Sequence, residues 1–265
     1  MTIEFPLGRH EVIDAIVGTM EPLDHVHALW EGGAASFDRV DEWSDMDLYI
    51  VVDDDRVDET FEAVEGALGS ISRIKLKYWI GETPWKGVYQ AFYRLEGTSE
   101  HLVIDLAVMT LSSPDKFLEP EIHGPTRFHF NKSGRVKVPA LDTRLHTDRL
   151  SARIERIQTR FYMFSSFVMK EVNRGNHLEA LDAYRVVVLA SLVEALRIKH
   201  EPLHHDFGLR YIYHELPRED VERLEGLFYV PGPDGLTDRL ESATAWFAEV
   251  MRELTGKERL LECMH

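Results

Sequence analysis

The stretch that decides the fold runs Trp30-Glu31-Gly32-Gly33 and then, after a polar loop, Ser44-Asp45-Met46-Asp47-Leu48-Tyr49-Ile50. Met46–Val52 is rich in β-branched and aromatic residues and reads as a strand that stops at Asp53-Asp54-Asp55. Alternate side chains of a strand share a face, so Asp45 and Asp47 point one way while Met46 and Leu48 point into a core. Two carboxylates on one face repel, and burying them without a partner is costly. A divalent cation resolves the conflict, and ligation by oxygen alone suits Mg²⁺.

A third acid has matching phase. In Leu102-Val103-Ile104-Asp105-Leu106-Ala107-Val108-Met109 a single carboxylate interrupts a run apolar enough to belong inside a sheet. Paired beside Met46–Val52, this strand adds Asp105 to Asp45 and Asp47, a cluster able to hold two metal ions about 3.5–4 Å apart around a phosphoryl group. Upstream, His25–Trp30 reads as a strand running into Gly32-Gly33. With a helical turn over Ala34–Arg39, those glycines present backbone N–H groups with no Cβ in the way, a geometry that binds phosphate. Taken alone the pair is an ordinary Gly-Gly turn; its spacing to the paired aspartates favours the phosphate reading.

The rest of the chain falls into two halves. The first has a short helix at His10–Met20, a helix over Arg56–Leu68 ending near Gly69, and strands at Ile71–Ile80 and Val88–Leu95. A connection at 119–125 leads to a hairpin of Arg127–Asn131 and Arg135–Val138 around Lys132-Ser133-Gly134. In the second half Leu150, Ile154, Ile157, Phe161, Phe164, Val168 and Val172 make one helix face. Leu178–Lys199 follows as a central helix closed by Pro202, with further helices at Asp220–Phe228 and Leu236–Leu254. The expected class is α+β: a mixed sheet flanked by helices over 1–140, then an all-helical bundle over 141–265.

Of the 265 residues, 44% are hydrophobic and 29% charged, which provides for a core and excludes disorder and disulfide scaffolds. The net charge of −16 disfavours nucleic acid and anionic membranes as partners and favours metal ions or cationic small molecules. Residues 31–62 alone carry twelve acids against Arg39 and Arg56. One cysteine, Cys263, allows no internal disulfide, and the N-terminus lacks a secretory pattern, so a cytoplasmic setting without a membrane span is expected.

Gly32-Gly33 followed by Ser44-Asp45-Met46-Asp47-Leu48 resembles the signature of the nucleotidyltransferase superfamily that includes DNA polymerase β. The order of elements, with Lys170–Gly175 and Leu178–Ala183 opening a helical domain, is similar to bacterial aminoglycoside and lincosamide adenylyltransferases. The resemblance implies a 1–140 catalytic domain and a 141–265 substrate-binding domain. It implies a nucleoside triphosphate held by Gly32, Gly33 and Mg²⁺, with Asp45 and Asp47 as metal ligands. The resemblance makes Asp105 either a third ligand or the base that would deprotonate an attacking hydroxyl. Attack on the α-phosphate then moves AMP from ATP to a small-molecule acceptor, an aminoglycoside-type antibiotic for instance, and releases pyrophosphate. The family's serine after the glycine is replaced here by Gly33 or Ala34; Ser36 is the nearest substitute for that phosphate contact, and Ser44 adjoins the Asp-x-Asp.

Arg185, Arg197 and Lys199 on the central helix are cations that either reach a triphosphate or pair with Glu194 or Asp182. Glu179, Asp182 and Asp206 are candidates for a cationic acceptor. His200-Glu201-Pro202-Leu203-His204 matches a zinc-protease spacing, but Pro202 breaks the helix that chemistry requires. Cys263 and His265 are too few for a structural zinc site. Two other functions stay open: transfer to a protein or another metabolite, and a nucleotide-binding regulatory module without turnover.

Overall fold

The computed structural model describes residues 7–256, so Cys263 and His265 lie outside the described part. The chain divides into two compact units, with the division between Leu141 and Asp142. The fold is α+β.

In the first unit, helix α1 (Arg9–Met20) precedes β1 (Val26–Glu31), β2 (Met46–Val52), α2 (Val57–Ile71), β3 (Ile74–Glu82), β4 (Val88–Leu95) and β5 (Ile104–Thr110). A one-turn helix α3 (Pro120–His123) leads to β6 (Arg127–Asn131). The six strands form one sheet in the order β3-β4-β5-β2-β1-β6. Only β2 and β5 run parallel; every other pair is antiparallel. One face is closed by α1 and α2, whose Val12, Ile16, Phe61, Val64 and Leu68 pack on Leu29, Met46, Leu48, Ile50, Ile104 and Leu106. The other face has a smaller core around Ala28, Trp30, Val51, Ala107 and Met109, covered by Leu118 and Val136.

Three local expectations need correction. Helix α2 passes through Gly69 and ends at Ile71, because its apolar face, including Ala67 and Leu68, is still being buried there; Ser72 caps it. The expected second hairpin arm at Arg135–Val138 is not a strand. Ser133 and Gly134 both take positive φ in a 3-10 turn, and β6 pairs with β1 instead. The Asn131 side chain replaces the missing ladder: its amide donates to the Val136 carbonyl at 2.7 Å and accepts from the Val136 N–H at 3.2 Å. Third, the turn after Gly32 is a single 3-10 turn over Gly33–Ala35, shorter than the helical turn expected at 34–39.

The second unit holds α4 (Thr143–Phe164), α5 (Ser166–Asn173), α6 (His177–Ala183), α7 (Ala190–His200), α8 (Ile212–Glu215), α9 (Arg218–Phe228) and α10 (Pro233–Thr255). A π-helical stretch, Tyr184–Leu189, joins α6 to α7. The single face expected from Leu150 to Val172 is interrupted at Ser165. Phe161 stacks on Phe247 inside the core at 3.8 Å, whereas Phe164 is 40% exposed. Arg197 is fully buried and is consumed structurally: its guanidinium donates to Glu215 at 2.7 Å and to the backbone carbonyls of Gly208 and Arg210. Helix α7 ends at His200, before Pro202, and His200 pairs with Asp220 at 2.8 Å, so the zinc-protease pattern has no helix to sit on. Among the described residues, no helix is long and apolar enough to cross a membrane.

Candidate active site

The parallel pairing of β2 with β5 sets Asp47 directly opposite Asp105. Residues in register on adjacent strands share a face about 4.8 Å apart, so the two carboxylates are side by side on the face that α1 and α2 leave uncovered. Asp45 lies one residue ahead of β2 and is exposed. Its backbone is fixed: Arg9 Nη1 donates to the Asp45 carbonyl at 2.6 Å while the same guanidinium pairs with Glu31 at the end of β1. Burial alone would raise Glu31, but His129 and Arg9 more than offset that and hold its carboxyl below the ordinary value.

Asp105 behaves differently. Its pKa is pushed up to about 6, first by burial and then by the negative charge of Asp45, with a hydrogen bond from Gln90 acting in the opposite sense. That bond runs from Gln90 Nε2 to Asp105 Oδ1 at 2.7 Å. A carboxylate titrating near neutrality can exist as a base and still accept a proton, which is what general-base work requires.

The glycine bend closes on this pair. The Gly32 N–H donates to the Asp47 carbonyl at 2.9 Å, extending the β1–β2 ladder by one residue. A Cβ on Gly32 would meet the Tyr49 ring at 2.4 Å. One on Gly33 would lie 1.7 Å from Asp47 Oδ2, and Gly33 has φ of +55°. Both glycines are therefore required by the outward side chains of β2 as well as by the bend.

Among the described residues no three His, Cys, Asp or Glu side chains are grouped so as to hold a metal ion together. Asp47 and Asp105 are cross-strand neighbours, and Asp45 is exposed just ahead of β2. The donor chemistry nonetheless suits a hard cation, because these acids bring only oxygen to the site.

The remaining expected site residues are placed as follows. Ser36 is buried and its hydroxyl donates to the Glu31 carbonyl at 3.3 Å, so it is turned to β1 and does not replace the missing serine. Ser44 is tied into the loop before β2, donating to Asp41 Oδ1 at 2.7 Å and accepting from the Asp41 N–H. Lys199, in the second unit, pairs with Glu253 at 3.0 Å. Arg185, also in the second unit, is exposed in the π-helical stretch and lines a cavity of about 570 Å³ with Arg153, Asp182, Glu194 and Asp206. Glu194, one of the alternative partners for the central-helix cations, is paired with Arg153. Arg9 and Gln90 were not legible as site residues; nothing in a lone arginine on a helix or a glutamine on a strand marks them.

No protein-family model and no curated protein matches the sequence. In structure the chain is similar to a spectinomycin adenyltransferase from Enterococcus faecialis, crystallised with ATP and spectinomycin. The identity is 11% and the TM-score 0.35, over 93% of this chain and 99% of that one. It is also similar to a STING-associated CdnE c-di-GMP synthase from Capnocytophaga granulosa, at 12% identity and a TM-score of 0.31, over 92% of this chain and 79% of that one. Overlaps this loose carry nothing about what the present chain does, which is read from its own side chains.

Two measurements test the geometry. Gly33→Ala should lower the unfolding free energy by about 1–2 kcal/mol or more, since it forces a positive φ on alanine as well as the contact with Asp47. Gly18→Ala, on α1 with open space around it, should raise stability by roughly 0.5–1 kcal/mol. Urea denaturation of the two variants showing equal effects would contradict the close approach. Asp105 ionises at 3.8 when unperturbed and at about 6 when folded, so between those values the folded protein binds more protons and loses stability as pH rises. Asp105→Asn should therefore stabilise the metal-free protein at pH 7.5, by up to ~3 kcal/mol, with the gain vanishing by pH 4. Thermal melts showing no pH dependence of the difference would count against a raised Asp105.

Proposed function

We propose that this chain is a Mg²⁺-dependent nucleotidyltransferase. It moves a nucleoside monophosphate, AMP from ATP, onto a hydroxyl group of a small molecule and releases pyrophosphate. The observation that carries the reading is the in-register pairing of Asp47 with Asp105, one of them pushed up to about 6, against the Gly32-Gly33 bend. In this reading Asp105 takes the proton of the acceptor hydroxyl. The hydroxyl oxygen then forms a bond to the α-phosphorus, and the bond from that phosphorus to the bridging oxygen breaks, its electron pair leaving with pyrophosphate. Gln90 holds Asp105 by one oxygen and so leaves the other to face the hydroxyl. Asp45 and Asp47 would hold the cation, which supplies charge neutralisation for the phosphate oxygens when bound. The Gly32-Gly33 bend packs against Asp47 and holds that carboxylate at the site, and Arg9 ties Glu31, just ahead of the bend, to the Asp45 carbonyl.

A second reading, a nucleotide-binding module without turnover, is favoured by one observation: Ser36 is turned to β1 and leaves the family's phosphate-contacting hydroxyl without a replacement. The two readings separate in one experiment. The protein is incubated with labelled ATP, GTP, CTP or UTP, Mg²⁺ and a panel of hydroxyl acceptors that includes aminoglycosides, and pyrophosphate release is followed. Transfer is expected with ATP and should fall roughly 10³-fold or more in Asp45→Asn and in Asp47→Asn, because each removes a ligand worth several kcal/mol to the transition state. Metal-dependent nucleotide binding with no release on any acceptor supports the second reading. Full activity in both variants would reject the site altogether.

A further inference from the structure

The uncovered face of the sheet does not end at the carboxylates. Register carries the row Asp47–Asp105 outward through Phe92 on β4 to Tyr78 on β3, each residue paired with the next. The Tyr78 and Phe92 rings stack with centroids 6.2 Å apart and planes 24° from parallel. Tyr78 is 66% exposed, and Leu76, one row along on the same face, is 59% exposed. Large rings this open, beside a half-buried acid, are not explained by the core: the cores on both faces are built without Tyr78, Leu76 or Phe92 being buried in them. Arg94, paired with Leu76, borders the platform at its far side and Gln90 borders it at the acid side.

Resting on the reading above, we infer that the Tyr78–Phe92 stack is the acceptor platform and that the acceptor is an alcohol carrying a flat, aromatic ring rather than a saturated polyamine. A ring lying over Phe92 stands one strand spacing, about 4.8 Å, from the strand that carries Asp105. A hydroxyl on a one- or two-carbon arm of that ring then reaches the proton acceptor. Stacking selects flat π-systems over puckered rings, and a guanidinium on the border disfavours a polycation there. The edge position of β3 leaves the platform open from the side, so ring size is not limited.

The test uses a matched pair of uncharged probes, 2-(hydroxymethyl)naphthalene and its decahydro counterpart, on the full chain. Ligand-observed NMR reads binding, and the pyrophosphate assay reads transfer. The aromatic alcohol is expected to bind and to be the better acceptor. Tyr78→Ala should weaken its binding and raise its KM about 3–10-fold with the KM for ATP unchanged, and Tyr78→Phe should restore both. Because Tyr78 is exposed, loss of fold does not confound the result, and a melt of each variant checks it. Equal binding of the two probes, no binding of either, or a silent Tyr78→Ala overturns the inference even when transfer depends on Asp45 and Asp47. If Tyr78→Ala instead splits a dimer and leaves acceptor KM unchanged, the platform joins two copies of the chain and the inference fails. Transfer that survives Asp47→Asn rejects the functional reading instead, independently of what the probes do.

Discussion

Two carboxylates are forced into contact range by backbone hydrogen bonding. The β2–β5 ladder is parallel and in register over seven residues, from Met46–Ile104 to Val52–Thr110, and its inward side chains are almost all buried. A slip of one residue would turn Leu48, Ile50, Leu106 and Val108 out of the core and Asp47 into it, so the apolar face locks the register. With the register locked, Asp47 and Asp105 must face each other. The rise of Asp105 to about 6, caused first by burial and also by the charge of Asp45, is carried by the core on the other side of the same strands. The proposed chemistry uses the buried Asp105 as a proton acceptor and the neighbouring acids as oxygen donors to a cation.

The surroundings fit that use. Gly33 leaves no room between the bend and the Asp47 carboxylate, Arg9 grips the Asp45 carbonyl rather than its acid group, and Gln90 touches Asp105 without neutralising it. Arg9 and Gln90 orient the backbone or one oxygen; neither supplies a compensating charge to the Asp105 carboxylate. Structural ion pairs elsewhere are built in the opposite way, as where Arg197 is spent on a buried Glu215.

Much of this was legible in the sequence because it follows from period-two patterning. Met46–Val52 and Val88–Leu95 have the bounds read from their residues, and the phase that puts Asp47 on the face opposite Met46 and Leu48 needs no structure. What escaped reading depends on particular side-chain contacts, some local and some distant, that periodicity does not carry. Asn131 substitutes for a strand at Val136, so a β-like stretch at Arg135–Val138 forms none; Phe247 takes Phe161 and leaves Phe164 outside. Tyr78 sits in β3 beside Trp79, which packs edge-on against Phe61, and the alternation of faces along the strand turns the two rings to opposite sides of the sheet. Ser36 is turned to β1 by a bond to a carbonyl five residues back, a contact that the residue pattern does not announce.

The central claim is that the Asp47–Asp105 pair is held in a state that a divalent cation relieves. Carboxyl-carbon NMR of selectively labelled protein, following Asp105 through a pH titration with and without Mg²⁺, tests it most directly. The account predicts a midpoint near 6 without metal that moves down as Mg²⁺ is added, and a smaller shift in Asp47→Asn. A midpoint in the ordinary aspartate range, or one near 6 that saturating Mg²⁺ does not move, would contradict it.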